Sequence, residues 1–243
     1  MENFLNYSLV DGVATIELAD GGSNLLSPGM IEAVNKALDK AEREATAVVL
    51  SGAGNIFSGG FDLKVMKSGA MPALKMLMGG FETVYRLVNL PMPLVVASNG
   101  HTVAAGVFLL FAGDYRFVTR GDFKIVLNEV EIGMTMPYTA LAIARYRLSI
   151  KAFEQVINHA RVYCPSEAVE AGFADQAVDS KELIQNASEK AKELANLNAK
   201  AFRKTKLRAR KKLTRSIRWA VIKDFLDLIG QGFIETTKTS RNR

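Results

Sequence analysis

The chain has 243 residues, 49% of them hydrophobic and 23% charged, which excludes a disordered chain and suffices for one large domain or one with a smaller appendage. Two His and one Cys exclude an internal disulfide and a structural zinc centre, which needs about four Cys/His ligands. The net charge of +6 is local: ten basic and no acidic residues lie between Lys200 and Arg218, leaving 21 basic against 25 acidic residues, a net −4, elsewhere.

The start, Met1-Glu2-Asn3-Phe4-Leu5, has neither the basic opening and apolar run of a signal peptide nor an Arg-rich transit pattern, so a cytoplasmic protein without membrane attachment is expected. Tyr7 to Leu18 alternates on both sides of Asp11-Gly12, which predicts a β-hairpin. Ser27-Pro28 opens a helical period through Met30, Ile31, Val34, Ala37, Leu38 and Ala41. Ala47 to Ser51 is a short apolar run ending in glycines, a buried strand; Leu94 to Ser98 is another, after a helix over Leu74 to Leu90. Ala104 to Ala112 reads as a buried helix, the stretches from Tyr115 and from Phe123 to Leu127 as strands, and Pro137 through Arg147 as a helix. Helices over Ala152 to Ala160 and Pro165 to Ala171, a short strand at Ala177-Val178, and helices from Lys181 to the end complete the chain. Strands separated by helices, then a helical tail, imply an α/β body over 1–185 and a helical region over 186–243.

Several enzyme classes drop out on motif. Gly52-Ala53-Gly54 follows a strand, but Phe57 stands where a dinucleotide fingerprint needs its third glycine. There is no Gly-Lys pair for a phosphate loop and no Gly-x-Ser-x-Gly elbow. Three segments remain. Phe57-Ser-Gly-Gly-Phe-Asp-Leu63 and Asn99-Gly-His-Thr-Val-Ala-Ala-Gly106 are Gly-rich junctions after strands, and the second opens a helix. Small residues there let a ligand approach backbone N–H groups, and a helix N-terminus favours an anion or a developing oxyanion; tight turns and close packing explain the same residues equally well. In Leu127-Asn-Glu-Val-Glu-Ile-Gly-Met134 two carboxylates lie two apart, on one side if the chain is extended. A glutamate among Leu, Val and Ile is a candidate base, with a solvated pair at a strand end as the plainer reading.

Together these segments resemble the enoyl-CoA hydratase/isomerase (crotonase) superfamily. Phe57-Ser-Gly-Gly-Phe-Asp62-Leu63 is similar to the family's Phe-x-(Ala/Ser)-Gly-x-Asp-(Leu/Ile), Asn99-Gly100 followed by Ala104-Ala105-Gly106 to its Asn-Gly-x-x-x-Gly-Gly-Gly, and Glu167-Ala168 followed by Gly172-Phe173-Ala174-Asp175 to its Glu-Ala-x-x-x-Gly-Leu-Val-Asp. The resemblance implies a crotonase-like spiral of β-β-α turns with a C-terminal helical region, assembled as a homotrimer or hexamer. It implies an acyl-CoA substrate held by Gly60, Asp62, Leu63, Gly106 and Phe108, its thioester oxygen bound by the N–H groups of Phe61 and Ala105. Coenzyme A is part of the substrate, and no cofactor or metal is expected. Phe108 stands where hydratases carry one glutamate, while Glu129 matches the second. Hydration uses two carboxylates and moving a double bond needs one base. Leu127-Asn128-Glu129 and Asp114-Tyr115-Arg116 are also similar to monofunctional 3,2-enoyl-CoA isomerases. The expected activity is therefore that isomerisation, with Glu129 as proton carrier and Glu131 in reserve. The alternatives are an enoyl-CoA hydratase and a catalytically silent acyl-CoA- or RNA-binding relative. His101 reads as a turn residue and His159 as a helix residue, neither catalytic. One of Lys204, Lys206 or Arg208 is a candidate for the phosphate end of coenzyme A, with nucleic acid disfavoured as a partner and most of the basic run solvated.

Overall fold

The computed structural model describes residues 4–241, with side chains described through residue 230. Strands β1 (Leu5–Val10) and β2 (Val13–Leu18) form the expected hairpin, and Asp11 and Gly12 both have positive φ, 51° and 78°, as a two-residue turn matching the strand twist requires. Helix α1 (Pro28–Glu44) starts where Ser27 accepts a hydrogen bond from Met30 N and Pro28 supplies a preset φ.

The remaining strands come in pairs. β3 (Ala47–Gly52) is followed by β4 (Ile56–Ser58), β5 (Leu94–Ser98) by β6 (His101–Val103), and β7 (Tyr115–Thr119) by β8 (Ile125–Val126). The first of each pair joins a six-stranded sheet of order β1-β2-β3-β5-β7-β9, where β9 is Gln176–Val178; the second joins a three-stranded sheet of order β4-β6-β8. After each pair comes helix: α2 (Leu63–Lys67) and α3 (Ala70–Val88), then α4 (Ala105–Ala112), then α5 (Tyr138–Arg147). This is the spiral of β-β-α turns that the resemblance implies. Apart from the hairpin, the pairings among these strands are parallel; a single antiparallel bridge joins Ile125 to Tyr163.

Both faces of the large sheet are covered at its centre, which is why β3 and β5 read as continuous apolar runs while the edge hairpin alternates. Val48, Leu50 and Val96 face α1, α3 and α4, while Ala47, Val49, Val95 and Ala97 face Leu183, Ala187 and Ala191 of α8 (Leu183–Ala195). The expected boundary between residues 185 and 186 therefore cuts a helix that belongs to the body. All eight residues of α4 are buried, accounting for its lack of a polar face. Helices α6 (Ile150–Ile157) and α7 (Pro165–Ala171) precede β9; α9 (Ala199–Ala209) and α10 (Lys211–Arg241) follow α8, and α10 packs against α5 and α3. Among the described residues, no helix is long and apolar enough to cross a membrane.

Local reading missed β4, β6 and α2. The strand expected over Phe123 to Leu127 shortens to Ile125–Val126. His101 is the first residue of β6 rather than a turn residue, with Nδ1 accepting from Lys124 N at 3.0 Å, and His159 lies exposed in the turn after α6 rather than in a helix.

Candidate active site

The small sheet gathers the three segments. Ser58 pairs with Thr102 and Thr102 with Ile125, so parallel β4, β6 and β8 end at a common edge. The residues beyond that edge are Gly59 to Leu63, Ala104 to Phe108, and Leu127 to Glu131. Neighbouring strands lie about 4.8 Å apart, and the carboxyl ends of parallel strands are where ligands bind in open α/β sheets.

Glycine permits the close approach of the first two segments. Gly60 has φ +87°, and a Cβ on it would lie 2.9 Å from Ala104 Cβ and 3.1 Å from Ala105 N; one on Gly106 would lie 2.5 Å from Ser58 O. Gly60 O accepts from Leu26 N at 2.8 Å, while Phe61 N–H, the next group along, has no backbone acceptor among the described residues. Ala105 is the first residue of α4, so its N–H has no acceptor within the helix. Two free backbone donors thus sit beside each other at a helix N-terminus, the arrangement that binds an oxyanion. Ala104, before them, is held at φ 49°, ψ −123°, a conformation that favours glycine.

The other expected contact residues divide. Asp62 caps α2, accepting from Lys64 N at 2.8 Å, and Leu63 beside it is exposed. The Phe61 ring packs edge-on against Phe81. Phe108, one helical turn after Ala105, is 1% exposed and lies in the main core.

Glu129 is 5% exposed, its Oε2 has no hydrogen-bond partner among the described residues, and neither has Asn128 Oδ1. Burial pushes the Glu129 carboxyl up to about 7, with only a backbone hydrogen bond of its own residue opposing the rise. After β8 the chain turns instead of staying extended: Ile132 N donates to Asn128 O, Gly133 N to Val130 O and Met134 N to Glu129 O. The turn separates the two carboxylates, so the expected common side fails and Glu131 is exposed. A cavity of about 480 Å³, lined by Val130, Met134, Met136, Leu141 and Ile157 among others, adjoins this turn.

The basic tail differs most from expectation. Lys206 is buried, with Nζ donating to Asp114 Oδ2 at 2.6 Å and Met92 O at 3.1 Å, so it is spent inside the protein; Lys204 and Arg208 are exposed. Burial pushes the Lys206 ammonium down to about 8, against the opposing pull of Asp114. Arg210 is buried too, bonding Asp114 Oδ1 at 2.9 Å and the carbonyls of Val88, Ala112 and Gly113. Arg147 donates to Phe111 O and Gly113 O, so two guanidiniums meet the carbonyl end of the helix whose other end carries Ala105 N–H. The signal was present in the sequence: positions 206, 210, 213, 217 and 221 form one helical stripe, and Leu213, Ile217 and Val221 are its apolar members.

The chain as a whole is similar to known proteins. Residues 9–230 match the model of the enoyl-CoA hydratase/isomerase family. Over 185 residues, 71% of this chain and 77% of the relative, the chain is 31% identical to peroxisomal enoyl-CoA delta isomerase 2 of Arabidopsis thaliana. The solved structure of the Mycobacterium tuberculosis enoyl-CoA isomerase is 41% identical with a TM-score of 0.89, covering 92% of this chain and 98% of that one. An enoyl-CoA hydratase from Mycobacterium ulcerans is 40% identical with a TM-score of 0.90, over 93% of this chain and all of that one. With the family model matched over most of its length and the fold shared with solved relatives, the chain belongs to the enoyl-CoA hydratase/isomerase family and has its crotonase fold.

Proposed function

We propose that the protein moves the double bond of a 3-enoyl-CoA to the 2-position, with Glu129 as the single proton carrier. The observation that carries this reading is the Glu129 carboxyl, buried and without a cation partner among the described residues, at the edge where the two free N–H groups lie; that burial pushes it up to about 7. A base with a pKa near the working pH both accepts and returns a proton efficiently. The ionised carboxylate takes a proton from the α carbon, and the electron pair of that C–H bond moves into the thioester, placing negative charge on its oxygen. Phe61 and Ala105 N–H donate to that oxygen; one such donor is worth about 3–4 kcal/mol in the transition state. Protonated Glu129 then gives the proton to the γ carbon, the double bond settles between the α and β carbons, and the carboxylate is regenerated. The transfer draws on no metal or redox cofactor. Phe108 supports isomerisation over hydration, because the position three after Ala105 offers a buried ring and no acid to activate water.

Hydration is the second reading. Asn128 Oδ1 and Glu129 Oε2, two unpartnered acceptors on successive residues, favour it as a potential water site, and relatives of both names match the chain. Product analysis with a 3-enoyl-CoA and a 2-enoyl-CoA offered separately decides between them. Isomerisation without hydration is expected; hydration at a comparable rate refutes the discrimination, and no turnover of either supports a silent binder.

The same reading extends to assembly as a homotrimer or a hexamer made of two trimers. Trp219, 63% exposed, with Ile222 and Leu226 forms an uncovered apolar row on α10, which supports self-association through the helical region. Sedimentation of the full chain tests it, and a monomer at micromolar concentration overturns it.

A further inference from the structure

We propose that Asp224, on α10, is a positioning residue for the turn that carries Glu129, acting by capping the helix into which that turn runs. The proposal rests on the reading of Glu129 as the proton carrier.

The segment from Leu127 to Pro137 joins β8 to α5. Its near end is fixed: Ala104 N donates to Val126 O at 2.9 Å, and Ile125 and Tyr163 exchange backbone hydrogen bonds at 3.0 Å. In between, the three short-range bonds described above stop at Met134, and the open cavity beside Val130 to Met136 leaves part of the segment without close packing. The far end thus depends on how α5 begins, and its start has no local solution. Pro137 occupies the capping position and has no side-chain acceptor, which leaves the first N–H groups of α5 without partners of their own.

Asp224 supplies them from 85 and 86 residues further along the chain. Its Oδ1 accepts from Tyr138 N at 2.7 Å, and its Oδ2 accepts from Thr139 N at 2.9 Å and from Thr139 Oγ1 at 2.7 Å. The carboxylate is only 5% exposed. It continues the helical spacing of Leu213, Ile217 and Val221, so it is an acid set into the buried stripe of α10, a place that disfavours a charge unless it is fully bonded. All three of those donors belong to the start of α5, whose partial positive charge suits a carboxylate. The Lys223 ammonium lies over the Tyr138 ring at 5.1 Å beside this junction. Glu129 has no charged partner among the described residues, so its protonation is governed by how completely the turn seals it from water. Releasing the start of α5 loosens the turn and admits water to that carboxyl.

Asp224→Asn tests this, because either orientation of the amide sets an N–H against a donor of α5. Turnover of 3-enoyl-CoA is expected to fall about tenfold to a hundredfold, the scale of a small displacement of a catalytic group, with KM changing less. The acid limb of the pH–rate profile is expected to move down by about one unit or more as Glu129 becomes hydrated. Asp175→Asn is the matched control: this carboxylate also accepts three hydrogen bonds, all from Arg116, and its loss should lower stability while leaving the limb in place. Should Asp224→Asn fail to fold, Thr139→Ala removes one of the three donors and should produce a smaller shift in the same direction. An Asp224→Asn protein less stable than wild type but with unchanged kcat and an unmoved limb overturns the proposal. A wild type without isomerase activity overturns the functional reading instead. The positioning role is then judged from unfolding between pH 5 and pH 8, where Asp224→Asn should show a weaker pH dependence than wild type and an equal one refutes it.

Discussion

Replacing Glu129 by glutamine should make the protein less active and, at alkaline pH, relatively more stable. Burial holds the carboxyl near 7 in the folded chain against an ordinary 4.5. The native state therefore keeps a proton that the unfolded chain releases, and stability falls as pH rises from about 4.5 to about 7, levelling off above. At 1.36 kcal/mol per unit, the loss amounts to about 3 kcal/mol, or about 6–12 °C in Tm for a chain of this size. Glutamine has no proton to lose, so Glu129→Gln should lack this component, although its amide leaves buried donors that lower stability equally at every pH. The assay is thermal or urea unfolding of both proteins at pH 5 and pH 8, taking the difference between their pH dependences so that other titrating groups cancel. Turnover measured alongside should fall at least about a hundredfold, the lower range for a positioned general base, while the wild-type rate climbs with pH to a plateau beginning near 7. Glu131→Gln, at an exposed position, should change neither quantity. Parallel pH dependences would show that the carboxyl is not buried as an ionising group. Near-normal turnover in a folded Glu129→Gln protein would falsify the single-base mechanism.

Ala104→Gly should relieve the positive-φ strain, of about 1–3 kcal/mol, while adding back about 0.5–1 kcal/mol of unfolded-chain freedom. A rise in stability of about 1 kcal/mol in urea unfolding is expected, and a fall refutes the strain argument. Lys206→Met strips one partner from the buried Asp114 cluster and should cost about 3 kcal/mol, with Arg210 remaining to limit the damage and CoA affinity intact. Weakened CoA binding at unchanged stability would return Lys206 to the ligand site. If the exposed Lys204 or Arg208 meets the 3′-phosphate of CoA, CoA should bind more tightly than dephospho-CoA with a modest salt dependence. Equal affinities remove that role, and a steep decline with salt, about 0.7–0.9 log unit per phosphate neutralised for each tenfold rise in salt, points to nucleic acid.

What the chain dictates locally was legible without the structure. The Asp11-Gly12 hairpin, the Ser27-Pro28 helix start, and the buried runs at Ala47, Leu94 and Tyr115 follow from turn chemistry and from periods of two or 3.6 residues, which need only neighbours in sequence. The segments around Phe61, Ala105 and Glu129 were visible for the same reason, as glycines and an acid out of keeping with their surroundings. Strands β4, β6 and β8 were missed or overextended because two or three residues carry no period; they exist by pairing with one another, and that pairing brings the three segments to one edge. The burial of a charge is likewise a property of a pair. Lys206 and Arg210 read as part of a mostly solvated run until Asp114 is placed beneath them, and the partners of Asp224 come only from the start of α5, 85 residues or more away in the chain. Glu129 and Glu131 are alike in sequence, and only the turn after β8, with its hydrogen bond from Met134 N to Glu129 O, withdraws one from water and leaves the other in it. Local propensity selects the elements, whereas the solvent exposure and partners of a charged side chain depend on groups that only the folded chain brings within a few ångström.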